Sequence, residues 1–410
     1  MPQPRSGATD LARHWCLDPA VTFLNHGSFG ACPRPVLAEQ ARLRRRLEAE
    51  PVVFLWREIE DRLDEATAAL ATFLRCRPAD LVFLPNATTG VNTVLQRFPF
   101  RPGDEILALD HGYPACLNAA AYAATRADAR LVTVRLPFPV SGPEEVRKAV
   151  AAGVTPHTRL ALIDHVTSPT ALVLPIAELV RDLAARGVDT LVDGAHAPGM
   201  FPLDLAAVGA AFYTGNLHKW LGAPKGAAFL HVREDRQDLV RPLVISHGAT
   251  SRRTDRSRFR LEFDWTGTDD PTPFLAVPAA LRFLDTLIDG GFPKLAARNR
   301  LLALAARDLL AERLGIEPPC PDEMIGTMAA LPLPPARPEE APRPPRFFDA
   351  LQDRLFTAHR IEVPVMNFPA FPARLVRVSA QAYNRLDQIE RLADALDAEL
   401  RPGAAGSGRD

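Results

Sequence analysis

The feature that most constrains the fold is an alternation of short apolar segments with amphipathic helical segments, which begins near residue 80. The apolar segments are almost continuously hydrophobic, and amphipathic stretches such as residues 114–125 and 175–187 lie between them. Such segments are typical of strands buried on both faces of a largely parallel sheet, with helices as the crossovers. The sequence therefore predicts an α/β fold, preceded by helical periodicity over residues 35–75.

The composition changes beyond this region, which favours a second domain. A length of 410 residues is too great for one ordinary core, and residues 241–275 form an Arg-rich connection punctuated by proline. The proline-rich segment 331–346 is expected to be a loop, because proline is excluded from helix interiors and central strands. We expect an N-terminal arm (1–20), a large domain (21–275), a smaller α+β domain (276–402) and a disordered tail (403–410).

Charge and cysteine usage exclude several classes of protein. The net charge of -1 argues against nucleic acid or an anionic membrane as the main partner, and no apolar run approaches membrane-spanning length. The first residues lack the basic-then-apolar layout of a secretory signal. The five cysteines never form a C-x-x-C pair, which speaks against a disulfide framework or a zinc site. We therefore expect a cytoplasmic protein without a metal.

Lys219 is the candidate for covalent chemistry, because it follows the apolar strand of residues 210–218 and precedes a Gly-Pro turn. Only four of the 48 basic residues are lysines, so arginine serves wherever a generic positive charge is enough. A guanidinium stays protonated, whereas a buried lysine has a lowered pKa and reacts with aldehydes. A surface charge is the alternative interpretation, and Lys225, inside the turn, is the competing lysine.

Other strand ends supply what pyridoxal phosphate (PLP) requires besides a lysine, namely an acid, a phosphate cradle and a flat group. Asp193 ends an apolar run and would stay ionised beside a protonated pyridine nitrogen, although it would also suit a helix cap. Residues 86–96 place small and hydroxyl side chains at a helix start, which favours a phosphate, with Asn216 and His218 as further donors. Tyr113 is either the flat group or a core aromatic.

Eight segments in the expected order, within residues 21–384, carry a family resemblance. They are FLNHGSFG, FLPNATTGVN, DHGYPA, HVTSPTALVLP, VDGAHAPG, YTGNLHKWLGAPKG, WTGT and VRVSAQAYN. The chain resembles the class V aminotransferase family of fold-type I PLP-dependent enzymes, and within it most resembles the isopenicillin N epimerase-like proteins. The resemblance implies a large domain with a mostly parallel sheet, a smaller α+β domain, and a homodimer with shared active sites that acts on an amino-acid-type substrate.

The resemblance also implies a role for each matching residue. Lys219 forms a Schiff base with PLP, Asp193 contacts the ring nitrogen, and Tyr113 stacks on the ring. Further cofactor contacts fall to His196 near the ring hydroxyl, to Ser168, and to the phosphate-binding residues Ala87, Thr88, Asn216 and His218, with Gly267 and Thr268 reaching in from the other subunit. The substrate side is formed by Arg377, where the family's carboxylate-binding arginine falls, and by Asn25 and His26.

The type of reaction stays open between three outcomes. Epimerisation requires a base on each face of Cα, with Lys219 on one face and Tyr113, His26 or His247 on the other. β-Elimination needs only Lys219 and a leaving group such as a thiol, as in the hercynylcysteine sulfoxide lyases, and transamination needs Lys219 to return a proton to the cofactor. Desulfuration is disfavoured, because residues 359–377, where the family's desulfurases keep a cysteine, have none.

The resemblance favours an epimerase-like enzyme, followed by a C–S lyase. A PLP-binding regulatory protein is the non-enzymatic alternative, which the full set of catalytic positions opposes. The Arg-rich loop of residues 251–259 suggests a contact with a second acidic group on a larger substrate, or else a solvated loop.

Overall fold

The structure is a computed structural model that describes residues 11–341 and 349–400. Its α-helices are α1 (His26–Phe29), α2 (Arg34–Ala49), α3 (Ile59–Leu74), α4 (Ala87–Arg97), α5 (Pro114–Arg126), α6 (Pro143–Gly153), α7 (Ile176–Ala184), α8 (Leu205–Val208), α9 (Arg258–Phe263), α10 (Thr272–Leu275), α11 (Val277–Thr286), α12 (Gly291–Leu314), α13 (Ala350–His359) and α14 (Leu386–Leu400). A π-helical segment (Val53–Glu58) joins α2 and α3, as the helical periodicity of residues 35–75 predicts.

The strands are β1 (Thr22–Phe23), β2 (Leu81–Leu84), β3 (Glu105–Leu109), β4 (Arg130–Val134), β5 (Thr158–Asp164), β6 (Asp189–Asp193), β7 (Phe212–Asn216), β8 (Ala228–Val232), β9 (Met328–Leu333), β10 (Ile361–Glu362), β11 (Val365–Asn367) and β12 (Arg374–Ser379). No described helix is both long enough and apolar enough to cross a bilayer.

A seven-stranded sheet in the order β2-β8-β7-β6-β5-β3-β4 forms the centre of the molecule. The five strands β4, β3, β5, β6 and β7 are parallel. At the other edge β8 runs antiparallel to β7, and β2 runs antiparallel to β8. Every residue of β2, β3, β7 and β8 is buried, since both faces of each strand are apolar. The predicted mostly parallel sheet is therefore confirmed.

Alternate residues of these strands contribute to two separate hydrophobic layers. Leu107, Ile163 and Val192 pack with α6 and α7 on one face. Ile106 and Leu162 pack with α4 and α5 on the other face. Because burial of each such side chain is worth roughly 1.5–3 kcal/mol, the two layers fix the register of the strands and leave their carboxyl ends as the open side of the sheet.

A three-stranded antiparallel sheet, β11-β12-β9, packs against α12 and α14. The expectation that residues 331–346 form a loop is wrong for residues 331–333, which are the end of β9. Pro332 pairs with Leu375 there, and β9 is an edge strand, where the missing N–H of proline is tolerated. Residues 342–346 lie outside the described part of the chain.

The first strand of the chain forms a short parallel pair with a strand of the C-terminal region. In this pair β1 aligns Thr22 with Ile361 of β10. Ahead of β1, the ring of Trp15 is buried between Phe283 and Tyr383. The domain limits stay predictions, and residues 1–10 and 403–410 are outside the described residues.

Helix α4 approaches β7 more closely than an alanine would allow. A Cβ atom built on Gly90 would lie 2.2 Å from Oγ1 of Thr214, which is itself held by donating a hydrogen bond to the carbonyl oxygen of Phe229. This contact places the first turn of α4 next to the carboxyl ends of the central strands. Glycine at this helix position is therefore a packing requirement.

We expect Gly90→Ala to lower the free energy of unfolding by about 1–3 kcal/mol, because overpacking outweighs the better helix propensity of alanine. Urea denaturation followed by circular dichroism measures the change. Thr125→Ala, on the exposed side of α5, is the matched control and should leave stability unchanged or slightly raised. An equal gain for both variants would contradict the close approach.

Candidate active site

A cavity of about 320 Å3 opens at the carboxyl ends of β5, β6 and β7. The structure brings ten of the residues that the sequence suggests to its wall: Ala87, Thr88, Tyr113, Ser168, Asp193, His196, Asn216, His218, Lys219 and Arg377. These residues come from six separate stretches of the chain. The sheet therefore assembles them by the position of its strand ends, as expected for a doubly wound fold.

Lys219 lies in the turn that follows β7, and its side chain is partly buried in the cavity wall. Its Nζ atom is 3.1 Å from Nε2 of His196. Burial, with a smaller contribution from the positive charge of Arg377, lowers the pKa of Lys219 to about 7, although Asp193 opposes the shift. An appreciable share of the amine is therefore neutral and nucleophilic at neutral pH. Lys225, the competing lysine, does not line this cavity.

The hydrogen bonds of His196 favour the neutral amine. The indole Nε1–H of Trp220 donates to Nδ1 of His196 over 3.4 Å, and burial holds the pKa of His196 well below its usual value. A neutral imidazole that accepts at Nδ1 carries its hydrogen at Nε2. Nε2–H then donates to Nζ of Lys219, which requires the free lone pair of an unprotonated amine.

Asp193 ends β6 as a buried acid. Oδ1 accepts a hydrogen bond from the N–H of Ala195 over 3.0 Å, and Oδ2 accepts one from the thiol of Cys116 over 3.1 Å. Burial nevertheless raises the pKa of Asp193, while the thiol, the amide and Lys219 oppose the shift. A cation in the cavity next to this carboxyl would stabilise its ionised form.

The first turn of α4 borders the cavity on another side. Asn86 caps the helix by accepting the N–H of Thr89, and Asn216 accepts the N–H of Ala87 over 2.8 Å. Both Asn86 and Asn216 therefore fix the helix start, where the dipole favours an anion. His218 donates from Nδ1 to the carbonyl oxygen of Ala227, and burial lowers the pKa of His218 to about 4.

Arg377 is a buried arginine on β12 rather than the surface arginine that the sequence left open. Nη1 donates to the carbonyl oxygen of Ser168 over 2.6 Å, and Nη2 donates to Oγ of Ser28 over 3.1 Å. Its Nε atom has no hydrogen-bond partner among the described residues, and no described carboxylate pairs with the guanidinium. A buried, unpaired guanidinium at a cavity wall is complementary to a carboxylate ligand.

The structure does not bring Asn25 and His26 to the cavity wall. Asn25 donates to Glu362, and the ring of His26 lies between the hydroxyl of Tyr383 at 2.7 Å and the carbonyl oxygen of Lys219 at 3.1 Å. These side chains therefore support the loop from behind. The next residues of the same segment, Ser28 and Phe29, line the cavity instead, together with Met366 of β11, which the sequence did not suggest.

Three other predicted residues also lie away from this cavity within one chain. His247 lines a separate cavity with Trp56, and Gly267 lines a neighbouring one beside Pro85, just before Thr268. His26 and His247 therefore do not face Lys219 as a second base within the chain, and Tyr113 does share its cavity. Gly267 and Thr268 do not line the active-site cavity of their own chain, so their predicted contact with the cofactor would have to be made in a second subunit.

The Arg-rich loop is occupied by ion pairs within the chain. Arg253 binds Glu60 over 2.6 Å, and Arg256 contacts both Glu60 of α3 and Asp264, at the end of α9, over 3.3 Å. These guanidinium groups join the loop to α3 and α9. Their geometry does not support the hypothesis that they bind an acidic substrate group.

The fold and the cavity define a PLP-dependent enzyme, because a buried neutral lysine, a buried acid, a helix start and an unpaired arginine are the donor set that this cofactor and an amino-acid substrate require. Residues 33–392 match the model for aminotransferase class V, and the chain belongs to this PLP-dependent family of enzymes. Among the described residues, no group of three or more His, Cys, Asp or Glu is arranged to hold a metal ion.

Known relatives and a solved structure agree with this assignment. Isopenicillin N epimerase of Amycolatopsis lactamdurans is 39% identical over 394 residues, which cover 93% of this chain and 95% of that protein. A probable chloroplastic L-cysteine desulfhydrase of Arabidopsis thaliana is 32% identical over a match that covers 94% of this chain and 84% of that protein. A C-DES mutant with glycine covalently linked to its PLP cofactor superimposes with a TM-score of 0.78 at 19% identity, over 94% of this chain and 98% of that one, which shows a shared fold.

We expect the amine of Lys219 to become reactive as the pH rises through about 7. Competitive labelling of the cofactor-free protein with a small amine reagent, read by mass spectrometry against the exposed Lys148, measures the midpoint. Arg377→Met should move the midpoint upward, because it removes the neighbouring positive charge. A wild-type midpoint near 10 would contradict the burial of a neutral amine.

Proposed function

We propose that Lys219 binds PLP covalently and that the enzyme acts at Cα of an amino acid or an amino-acid-containing substrate, as an epimerase. The observation that carries this proposal is the buried amine of Lys219 in one cavity with the unpaired guanidinium of Arg377. When bound, PLP withdraws electrons from Cα of the substrate and makes the Cα proton acidic. The residues of the chain then have to bind the groups on either side of Cα and move its proton.

Each wall of the cavity has a task in this proposal. Asp193 binds the ring nitrogen, and the start of α4 binds the phosphate, together with Asn216 and His218. His196 favours the unprotonated form of the Lys219 amine and orients it through the 3.1 Å contact. Arg377 binds the substrate carboxylate, because burial strengthens a charge-assisted pair that water would otherwise weaken.

The remaining predicted residues complete the cavity. Ser168 accepts two hydrogen bonds from Nη1 of Arg377 and so orients its guanidinium plane. Ala87 and Thr88 form the first turn of α4 at the phosphate side. Gly267 and Thr268 are assigned to the phosphate site of a partner subunit, since within one chain Gly267 lines another cavity and neither residue lines the active-site cavity.

Epimerisation needs a proton donor on the face of Cα opposite to Lys219, and we assign this role to Tyr113. Its side chain lines the same cavity and is 44% exposed at the mouth. The identity of 39% to an isopenicillin N epimerase supports the same reaction type. Tyr113 also remains the residue proposed to lie against the cofactor ring.

A C–S lyase is the second candidate function. It is favoured by the identity of 32% to an L-cysteine desulfhydrase and by the fact that elimination needs Lys219 alone as the base. Desulfuration remains disfavoured, since no cysteine is among the described residues that line the cavity. Cys116 lies behind Asp193, and burial raises the pKa of its thiol, which keeps it protonated and a poor nucleophile. Transamination stays possible with the same residues, and a PLP-binding regulatory role stays the non-enzymatic alternative.

The reaction is tested with purified, PLP-loaded protein in deuterated water. Substrates are D- and L-amino acids, isopenicillin N and L-cysteine; Cα exchange is followed by NMR, and pyruvate and ammonia are assayed. Tyr113→Phe should lower epimerisation by about 10²–10⁴-fold, the usual worth of one acid–base group, and leave any elimination in place. Pyruvate release without stereochemical change would select the lyase instead, and a bound cofactor that never responds would select the regulatory role.

Lys219→Ala should abolish both the exchange and the cofactor–protein link that borohydride fixes for peptide mapping. Lys225→Ala is the matched control, because Lys225 lies six residues further along the same loop and does not line the cavity. Mapping of the reduced cofactor to Lys225, or undiminished exchange in Lys219→Ala, would refute the assignment.

We propose that the chain forms a homodimer with shared active sites. Trp56, in the π-helical segment, is 76% exposed and lines the cavity that holds His247, and the preceding residue, Leu55, lines both that cavity and the one that holds Gly267. Phe29, at the mouth of the active-site cavity, is equally exposed. Large exposed aromatic side chains next to concave surfaces mark association sites.

Trp56→Asp should shift the protein toward monomer and lower its activity, because a charge in an apolar interface is costly. Size-exclusion chromatography with light scattering measures the mass. Leu301→Asp is the control, since Leu301 is 64% exposed on α12, away from these cavities. A monomeric wild type would overturn the dimer and leave the chemistry of Lys219 untouched.

We also propose a cytoplasmic location. All five cysteines are free, and Cys16, Cys32 and Cys76 retain some exposure. Free, partly accessible thiols are typical of proteins in a reducing compartment.

A further inference from the structure

A second acid stands beside Asp193 and has no role in the proposed function. Asp164 ends β5 as Asp193 ends β6, and the two residues are direct partners in the parallel register of these strands. Their exposed fractions are 5% and 3%, and both side chains line the active-site cavity. The fold therefore places two buried carboxyl groups side by side at the cofactor end of the sheet.

The surroundings of this pair supply too little positive charge for two carboxylates. Within residues 11–341 and 349–400, neither carboxyl lies within 4.0 Å of a basic side-chain nitrogen. The charge of Lys219 lowers the pKa of both acids, but burial leaves Lys219 only partly protonated at neutral pH. Two adjacent buried carboxyls of this kind do not both ionise, because desolvation and mutual repulsion add together.

The hydrogen bonds around the pair identify which acid loses its proton. Asp193 accepts the thiol hydrogen of Cys116 at 3.1 Å in addition to the N–H of Ala195, whereas no side chain of the described residues donates to Asp164. Burial and the charge of Asp193 raise the pKa of Asp164 well above its usual value, although backbone N–H groups, including that of Tyr113, oppose this. The pKa of Asp193 is raised as well, mainly by burial.

We propose that Asp164 is the protonated member of an acid pair, and that Asp164 and the Cys116 thiol together leave Asp193 as the single anion at this corner of the cavity. Asp164 acts through Asp193 and is therefore a positioning residue. The contact of Asp193 with the cofactor ring rests on the proposed function, but the protonation of Asp164 is a property of the protein alone. The titratable groups that face the pair are Cys116 on α5, Tyr213 on β7, His196 and Lys219.

One protonated acid gives the site a defined charge. A ring nitrogen that carries one positive charge would be balanced by one carboxylate, whereas two carboxylates would leave an uncompensated negative charge in a dry cavity. That excess would also raise the pKa of Lys219 and oppose the neutral amine. The proton on Asp164 thus leaves Asp193 as the single carboxylate and avoids a further rise in the pKa of Lys219.

Infrared difference spectroscopy on the full-length chain at pH 7 tests the proposal, before and after saturation with PLP. The wild type should show the carbonyl band of a buried protonated carboxyl that is lost in Asp164→Asn and kept in Asp193→Asn. The difference between variant and wild type removes the bands of other buried acids, and circular dichroism confirms folding. Absence of the band from the wild type, its loss in Asp193→Asn alone, or its loss in both variants would overturn the assignment to Asp164.

The role of the thiol is tested by the affinity for PLP. Cys116→Ala should weaken binding by about tenfold at pH 6, because a buried hydrogen bond to a charged group is lost, and by less at pH 8. Cys116→Ser should restore the affinity, since a hydroxyl also donates. Equal affinity of wild type and Cys116→Ala at both pH values would overturn this part.

The two tests separate this inference from the proposed function. If PLP binds Lys219 while Asp164 proves ionised, the acid pair is wrong and the function stands. If Asp164 is protonated in a chain that never binds PLP covalently, the proposed function fails and the acid pair stands.

Discussion

The removal of ionisable groups from water at the ends of apolar strands is the constraint on which the rest of the site depends. The same desolvation lowers the pKa of Lys219 to about 7, raises that of Asp193, and lowers that of Arg377 to about 10. Each shift moves a group toward its neutral form. The cavity therefore favours a ligand with a cation next to Asp193 and an anion next to Arg377, because these charges stabilise the ionised forms of the two side chains.

The fold creates this environment through its two hydrophobic layers. Since both faces of the sheet are covered, the carboxyl ends of β5, β6 and β7 are where polar groups of the sheet meet a cavity. The close contact of Gly90 with Thr214 draws the start of α4 to the same place. The apolar sequence of the strands therefore determines both the packing of the sheet and the pKa shifts of the side chains at its carboxyl ends.

Local patterns in the sequence were enough to predict the sheet, and Lys219 and Asp193 as strand-end residues. They were not enough where side-chain direction depends on distant parts of the chain. His26 turns toward Tyr383, and the loop arginines find Glu60 and Asp64 almost two hundred residues away, neither of which a local pattern shows. Asp164 carries the same strand-end signal as Asp193, whereas Cys116 and Met366 have no signal in the sequence.

The pairing of β1 with β10 joins the N-terminal segment beside the cavity to the C-terminal region of the chain. Leu24 and Gly27 are each hydrogen-bonded to Ser379 of β12, and Arg377 of the same strand holds Ser28. Any shift of β12 must therefore carry the segment after β1 with it as one body. In the proposed function, recognition of the substrate carboxylate would therefore depend on two segments about 350 residues apart, and exchanging either segment alone between relatives would misalign Arg377 and Ser28.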